Sequence, residues 1–193
     1  MAHQGLAWTF AGVLPAALLV GCVDGGGFGG SSARAVLQGQ MTVSAPAGYC
    51  VDESASRETE DRAVVLMGRC DGQTSVQPAV LSYSVGPAGS AGAMAAGGAE
   101  LAGFFTSAEG RATLSATGRA RDVEIVEALG AGDAFLMRLR QNTEPSHWRA
   151  FLGLKGRLVS IAVQGSPDAP LAPEEGRKIL DGAIAAMERQ NRS

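Results

Sequence analysis

The stretch "DVEIVEALGAGDAFLMRLRQ", residues 122–141, constrains the fold of this chain more than any other. Asp122–Leu129 and Ala134–Gln141 both alternate apolar with polar residues, and "GAGD" separates them. Alternation at a period of two is the mark of a half-buried strand, and two such runs across a glycine-containing turn make a hairpin. A second hairpin follows in "HWRAFLGLK" (147–155) and "RLVSIAVQG" (157–165), with Lys155-Gly156 as its tight turn. Trp148, Ala150, Leu152 and Leu154 share one face of their strand, and Val159, Ile161 and Val163 share one face of theirs. The four runs predict an antiparallel meander with an apolar face that something else in the chain must cover.

"APEEGRKILDGAIAAMERQ" (172–190) is built to be that cover. Pro173 suits the first helical turn, Glu174 and Glu175 suit its positive end, and Arg189 suits its negative end. Ile179, Leu180, Ala183, Ile184 and Met187 form its apolar stripe. Upstream, Gln40–Ala45, Ala63–Gly68 and Ala79–Gly86 read as short strands, and the glycine-rich stretch 87–99 as a connection. "ELAGFFTSAEGRATLS" (100–115) places Leu101, Phe104, Phe105, Ala108 and Ala112 on one helical face. Thr106 and Glu109 have the spacing of a capping box, which would split this region into two short helices. The fold class expected is α+β: an antiparallel sheet of about six strands with a C-terminal meander, flanked by a mid-chain helix and a closing C-terminal helix. Over Met41–Gln190 this layout resembles the PsbP-like fold, with "PAGYC" after the first strand, the mid-chain helix, the meander, and a last helix after "VQGSPDAPLAPEEG". The resemblance implies a binding or assembly role more than a catalytic one.

The N-terminal end speaks of location. Leu6–Val20 is apolar but for Thr9, and Pro15 interrupts it. It is shorter than the roughly 20 residues of a membrane span and fits the hydrophobic region of a signal peptide. No Lys or Arg occurs in Met1–Phe10, a departure from the usual positive start. Leu19-Val20-Gly21-Cys22 resembles the lipobox of bacterial lipoproteins. The resemblance implies cleavage before Cys22, a diacylglycerol on its sulfur and an acyl chain on the new amino group. The organisation expected is a signal peptide over 1–21, a lipidated Cys22 with a Gly/Ser-rich tether over 22–39, and one domain over 40–193. Gly25, Gly27 and Gly30 spell G-x-G-x-x-G, but no strand precedes them and no βαβ unit follows, so no nucleotide loop is read there. Everything after Cys22 is expected on the periplasmic side of the cell envelope, anchored to the membrane by lipid. Val23 follows Cys22 directly and Asp24 comes second. The acid directly after the cysteine that retention in the inner membrane resembles is therefore missing, and the outer membrane is the expected destination.

Export places Cys50 and Cys70 in an oxidising compartment, where an even pair reads as a disulfide. Their spacing is wrong for a C-x-x-C redox or zinc site. The bond would staple a charged, solvated excursion, "ESASRETEDR" (53–62).

The net charge of −3 and the absence of a basic run leave no electrostatic footprint for nucleic acid. Arginine supplies 14 of the 16 basic residues, a skew that fits base composition better than binding. His147 is the one histidine after the signal peptide; at the start of a strand it is expected at the surface, solvated or capping. It cannot build a His-rich metal site alone, and no G-x-S-x-G or S-x-x-K occurs. Glu124 and Glu127 are expected on opposite faces of their strand. Arg138 and Arg140 share a face, and with Arg149 on the neighbouring strand they make a candidate anion or partner face. The competing reading is a solvated face in which they pair with Glu124. No catalytic set, metal or cofactor follows from these residues. The function expected is a non-catalytic, lipid-anchored binding or accessory module whose partner is an envelope protein or a small ligand. The alternatives are a periplasmic hydrolase of unrecognised type, using His147 with Ser146 or an acid, and an accessory of a secretion or envelope complex.

Overall fold

A computed structural model describes residues 29–192 apart from residue 167. Cys22 and the signal-peptide assignment lie outside the described residues. In chain order the elements are β1 (Ala33–Val36), β2 (Met41–Ser44), β3 (Tyr49–Glu58), β4 (Ala63–Arg69), β5 (Val80–Val85), α1 (Gly98–Thr106), α2 (Ala108–Leu114), β6 (Val123–Ala131), β7 (Ala134–Gln141), β8 (His147–Leu154), β9 (Arg157–Gln164) and α3 (Pro173–Asn191). Seven strands form one antiparallel sheet in the order β3-β4-β5-β9-β8-β7-β6, and β1 pairs with β2 in a separate ladder. The protein is thus α+β, with the meander, the mid-chain helices and the closing helix all in place.

Two segments gained strands that their composition had hidden. Arg34 and Ala35 of β1 fall inside the stretch 22–39 expected as tether, and Leu37 just after them is fully buried, so folded chain begins upstream of residue 40. The charged "ESASRETEDR" is no excursion: Glu53–Glu58 continue β3, and only residues 59–62 turn the chain into β4. β3 is an edge strand and bulges between Asp52 and Arg57, and an edge strand can hold charged side chains in water while one side of its backbone stays paired. The Cys50–Cys70 disulfide is formed and closes the open end of this β3–β4 hairpin.

One face of the sheet carries the larger core. Val65, Met67, Leu81, Tyr83, Leu136, Ala150, Leu152 and Ile161 meet Leu180, Ala183 and Met187 of α3 and Val36, Met41 and Val43 of the small ladder. Both ends of α3 are tied down. The Trp148 indole donates to the Pro173 carbonyl at 2.8 Å, with the Arg177 guanidinium 5.2 Å above its ring. At the other end the Asn191 amide accepts from Thr42 N at 3.0 Å and donates to Thr42 O at 2.8 Å, pairing with β2 as a strand neighbour would.

The opposite face is covered only in part. Phe105 of α1 stacks on Phe135 at 5.8 Å and on Phe151 at 5.0 Å, joined by Leu114, Val123, Met137 and Leu139. The break between α1 and α2 is capped by Ser107, whose hydroxyl accepts from Gly110 N at 3.1 Å, and not by Thr106. Gly110 is required there, because any Cβ would overlap the Phe104 carbonyl. These helices lie over β6–β8 and leave the β4–β5 end of the same face uncovered, where Val64 and Val80 are 40% and 44% exposed. Among the described residues no helix is long and apolar enough to cross a membrane.

Candidate functional site

Strand register dismantles the arginine face. Arg138 stands opposite Trp148, whereas Arg149 stands opposite Met137. Residues directly opposite across a ladder project to the same side. Arg138 and Arg140 therefore lie on the α3 side of the sheet and Arg149 on the side of α1 and α2. Arg138 and Arg140 are also compensated: Arg140 Nη2 is 2.6 Å from Glu124 Oε2, and Arg138 Nε is 3.6 Å from Glu127 Oε2. The two glutamates share one face, against the expectation, because a bulge between Ile125 and Glu127 resets the alternation by one residue.

His147 is not solvated. It opposes Leu139, shares the α1–α2 side with Arg149, and is only 5% exposed, with Nε2 fully buried and without a hydrogen-bond partner. Burial first, and the Arg149 charge second, push its pKa down to about 4. At neutral pH it is an uncharged, buried imidazole. Among the described residues no cluster of His, Cys, Asp and Glu is arranged to hold a metal ion.

Arg149, half-buried, has a different setting from the buried Arg157. The Arg157 guanidinium donates to the carbonyls of Asp61 at 2.9 Å and Gly86 at 3.0 Å and to Gln40 Oε1 at 3.0 Å, so it clamps three turns together. Arg149 Nε is fully buried with no hydrogen-bond partner, and the side chain forms no ion pair among the described residues. Burial holds its pKa below the usual arginine value. A buried donor left without an acceptor is costly.

This cation lines a groove of about 590 Å³ between the helices and the sheet. Arg149 and Phe151 of β8 and Leu158 and Ser160 of β9 make its floor, and Leu101, Phe104, Phe105 and Leu114 its far wall. Glu100 stands on the rim, exposed. The groove exists because β9 carries small or modest side chains on this face, with Ser160 opposite Ser84 of β5, while the helices stop above β8. Its size and mainly apolar lining with a few polar groups are those of small-molecule sites in general. Of the site candidates read from the sequence only Arg149 belongs to it; Leu101, Phe104 and Phe105, read there as one apolar helical face, form its wall. The signal for the floor was Ser160 with Ser82 and Ser84: small polar residues that alternate with the apolar Val159, Ile161, Leu81 and Tyr83 of the other face. Comparison with family models, with curated proteins and with solved structures finds no match, so the groove is read from its own chemistry.

Proposed function

We propose that this chain is a lipid-anchored, non-catalytic binding module of the cell envelope. Its anchor is the acylated Cys22, its folded part faces the periplasm, and the groove beside α1 and α2 receives a small ligand. The observation that carries the reading is a 590 Å³ groove with aromatic walls, one of them Phe104 at 40% exposure, and a half-buried arginine on its floor whose Nε is buried without a partner. Concave apolar sites with few polar groups are where small molecules bind. The leader ending in Leu19-Val20-Gly21-Cys22 and the oxidised Cys50–Cys70 pair support the envelope setting.

Two measurements test it. Cells fed radiolabelled palmitate should label the parent chain, and Cys22→Ser should abolish the label and leave an unprocessed, slower-migrating precursor. An unchanged label and mobility would remove the anchor. Small molecules released by denaturing the purified parent should be absent from a Ser160→Trp variant, whose indole fills the groove floor. The same molecules at the same yield from both proteins would remove the groove as the binding site.

A further inference from the structure

We infer that the groove selects single-chain organic carboxylates, with Arg149 holding the carboxylate and the phenylalanine wall holding an aliphatic or aromatic tail. This rests on the groove being the binding site and goes further by naming the chemical class it takes.

The head group follows from the charges present. Arg149 is half-buried and contributes a guanidinium whose Nε is cut off from water and has no acceptor, while the buried Arg157 has three. A guanidinium matches a carboxylate in planar, two-point geometry, and pairing gives the enclosed Nε the acceptor it lacks. The lining supplies no second cation, and its one other charged group is the Glu100 carboxylate on the rim. One positive charge balances one negative charge. A phosphate monoester carries close to two negative charges at neutral pH and would be undercompensated, and Glu100 would oppose it.

The tail follows from the walls. Leu101, Phe104, Phe105, Phe151 and Leu158 offer a continuous apolar surface beside Arg149. Phe105 is stacked on Phe151 at 5.0 Å and meets Phe104 edge-on at 5.1 Å, so the wall is stiff. At about 30 Å³ per water-sized group, 590 Å³ holds about twenty such groups, enough for a medium-length chain. Uncovered sheet beyond Ser160, over β5 and β4, lets a longer tail run out of the groove without a clash.

The test is equilibrium dialysis of radiolabelled decanoate and, separately, radiolabelled decanol against the full lipid-anchored chain in bilayer discs, with empty discs subtracted. Decanoate should occupy one saturable site at least tenfold more tightly than decanol, and unlabelled decyl phosphate should displace it more weakly than unlabelled decanoate does. Arg149→Gln should weaken decanoate at least tenfold and leave decanol unchanged. Ser160→Trp should remove both. The parent's decanoate-to-decanol ratio decides the matter even if a variant misfolds. Equal binding of the two, indifferent to Arg149→Gln, overturns the carboxylate class and leaves the groove as a general apolar site. Tighter binding of decyl phosphate overturns the monoanion assignment. Saturable binding of neither ligand, or binding untouched in a folded Ser160→Trp, overturns both this inference and the reading it rests on.

Discussion

His147 offers a direct test of how the second face of the sheet is packed. Its imidazole is 5% exposed, and burial together with the Arg149 charge lowers its pKa from 6.5 to about 4. The sign follows from proton binding. Between pH 6.5 and 4 the unfolded chain takes up a proton at His147 that the native chain refuses, so stability is complete above pH 6.5 and is lost as pH falls through this window. The shift of about 2.5 units, at 1.36 kcal/mol each, amounts to about 3 kcal/mol at pH 4 from this one side chain. His147→Leu keeps the volume roughly, removes the titration, and replaces a nitrogen that has no partner to lose. At pH 7 it should therefore cost less than about 1 kcal/mol. Urea unfolding of parent and variant at pH 7, 5.5 and 4.2 measures the difference. The parent should lose stability more steeply, by up to about 1.4 kcal/mol per pH unit. Carboxylates such as Asp122 titrate in both proteins and cancel in the comparison. Parallel stability curves would show that His147 is solvated and that its buried setting beside Leu139 is wrong.

Replacing both Cys50 and Cys70 by Ser should cost about 2–5 kcal/mol, because the β3–β4 hairpin loses the bond that closes its open end. A calorimetric melt reads it, and an unchanged midpoint would mean that the bond is absent in the purified protein. Ile184→Asp puts a charge without a partner between α3 and the sheet, where Ile184 is 9% exposed, and should cost at least about 3 kcal/mol. A variant that melts with the parent would mean that α3 does not dock.

Much of the fold was legible because it is encoded locally. Alternation in 122–141 and 147–165, with left-handed Lys155 (φ 48°) and Gly156 (φ 73°) at the second turn, yields the meander whatever lies around it. The apolar stripe of α3 and the pairing of Cys50 with Cys70 were equally readable, and both stand in the structure. What alternation along one strand cannot state is how that strand is phased against its neighbour. The pairing of Met137 with Arg149 sent one arginine of the supposed trio to the other side of the sheet, and the bulge at Val126 brought Glu124 and Glu127 together. Nor does a strand's own pattern show what will cover it. His147 reads as a polar residue at a strand start, and it is buried beside Leu139 of the neighbouring strand, under segments such as Gly165 and Leu171 that lie apart from it in sequence. The groove has the same origin. It is the strip of β8 and β9 that α1 and α2 fail to cover, and the reach of these helices across the sheet is set by the Phe105, Phe135 and Phe151 stack and by the Gly110 corner, contacts that exist only once the chain is folded.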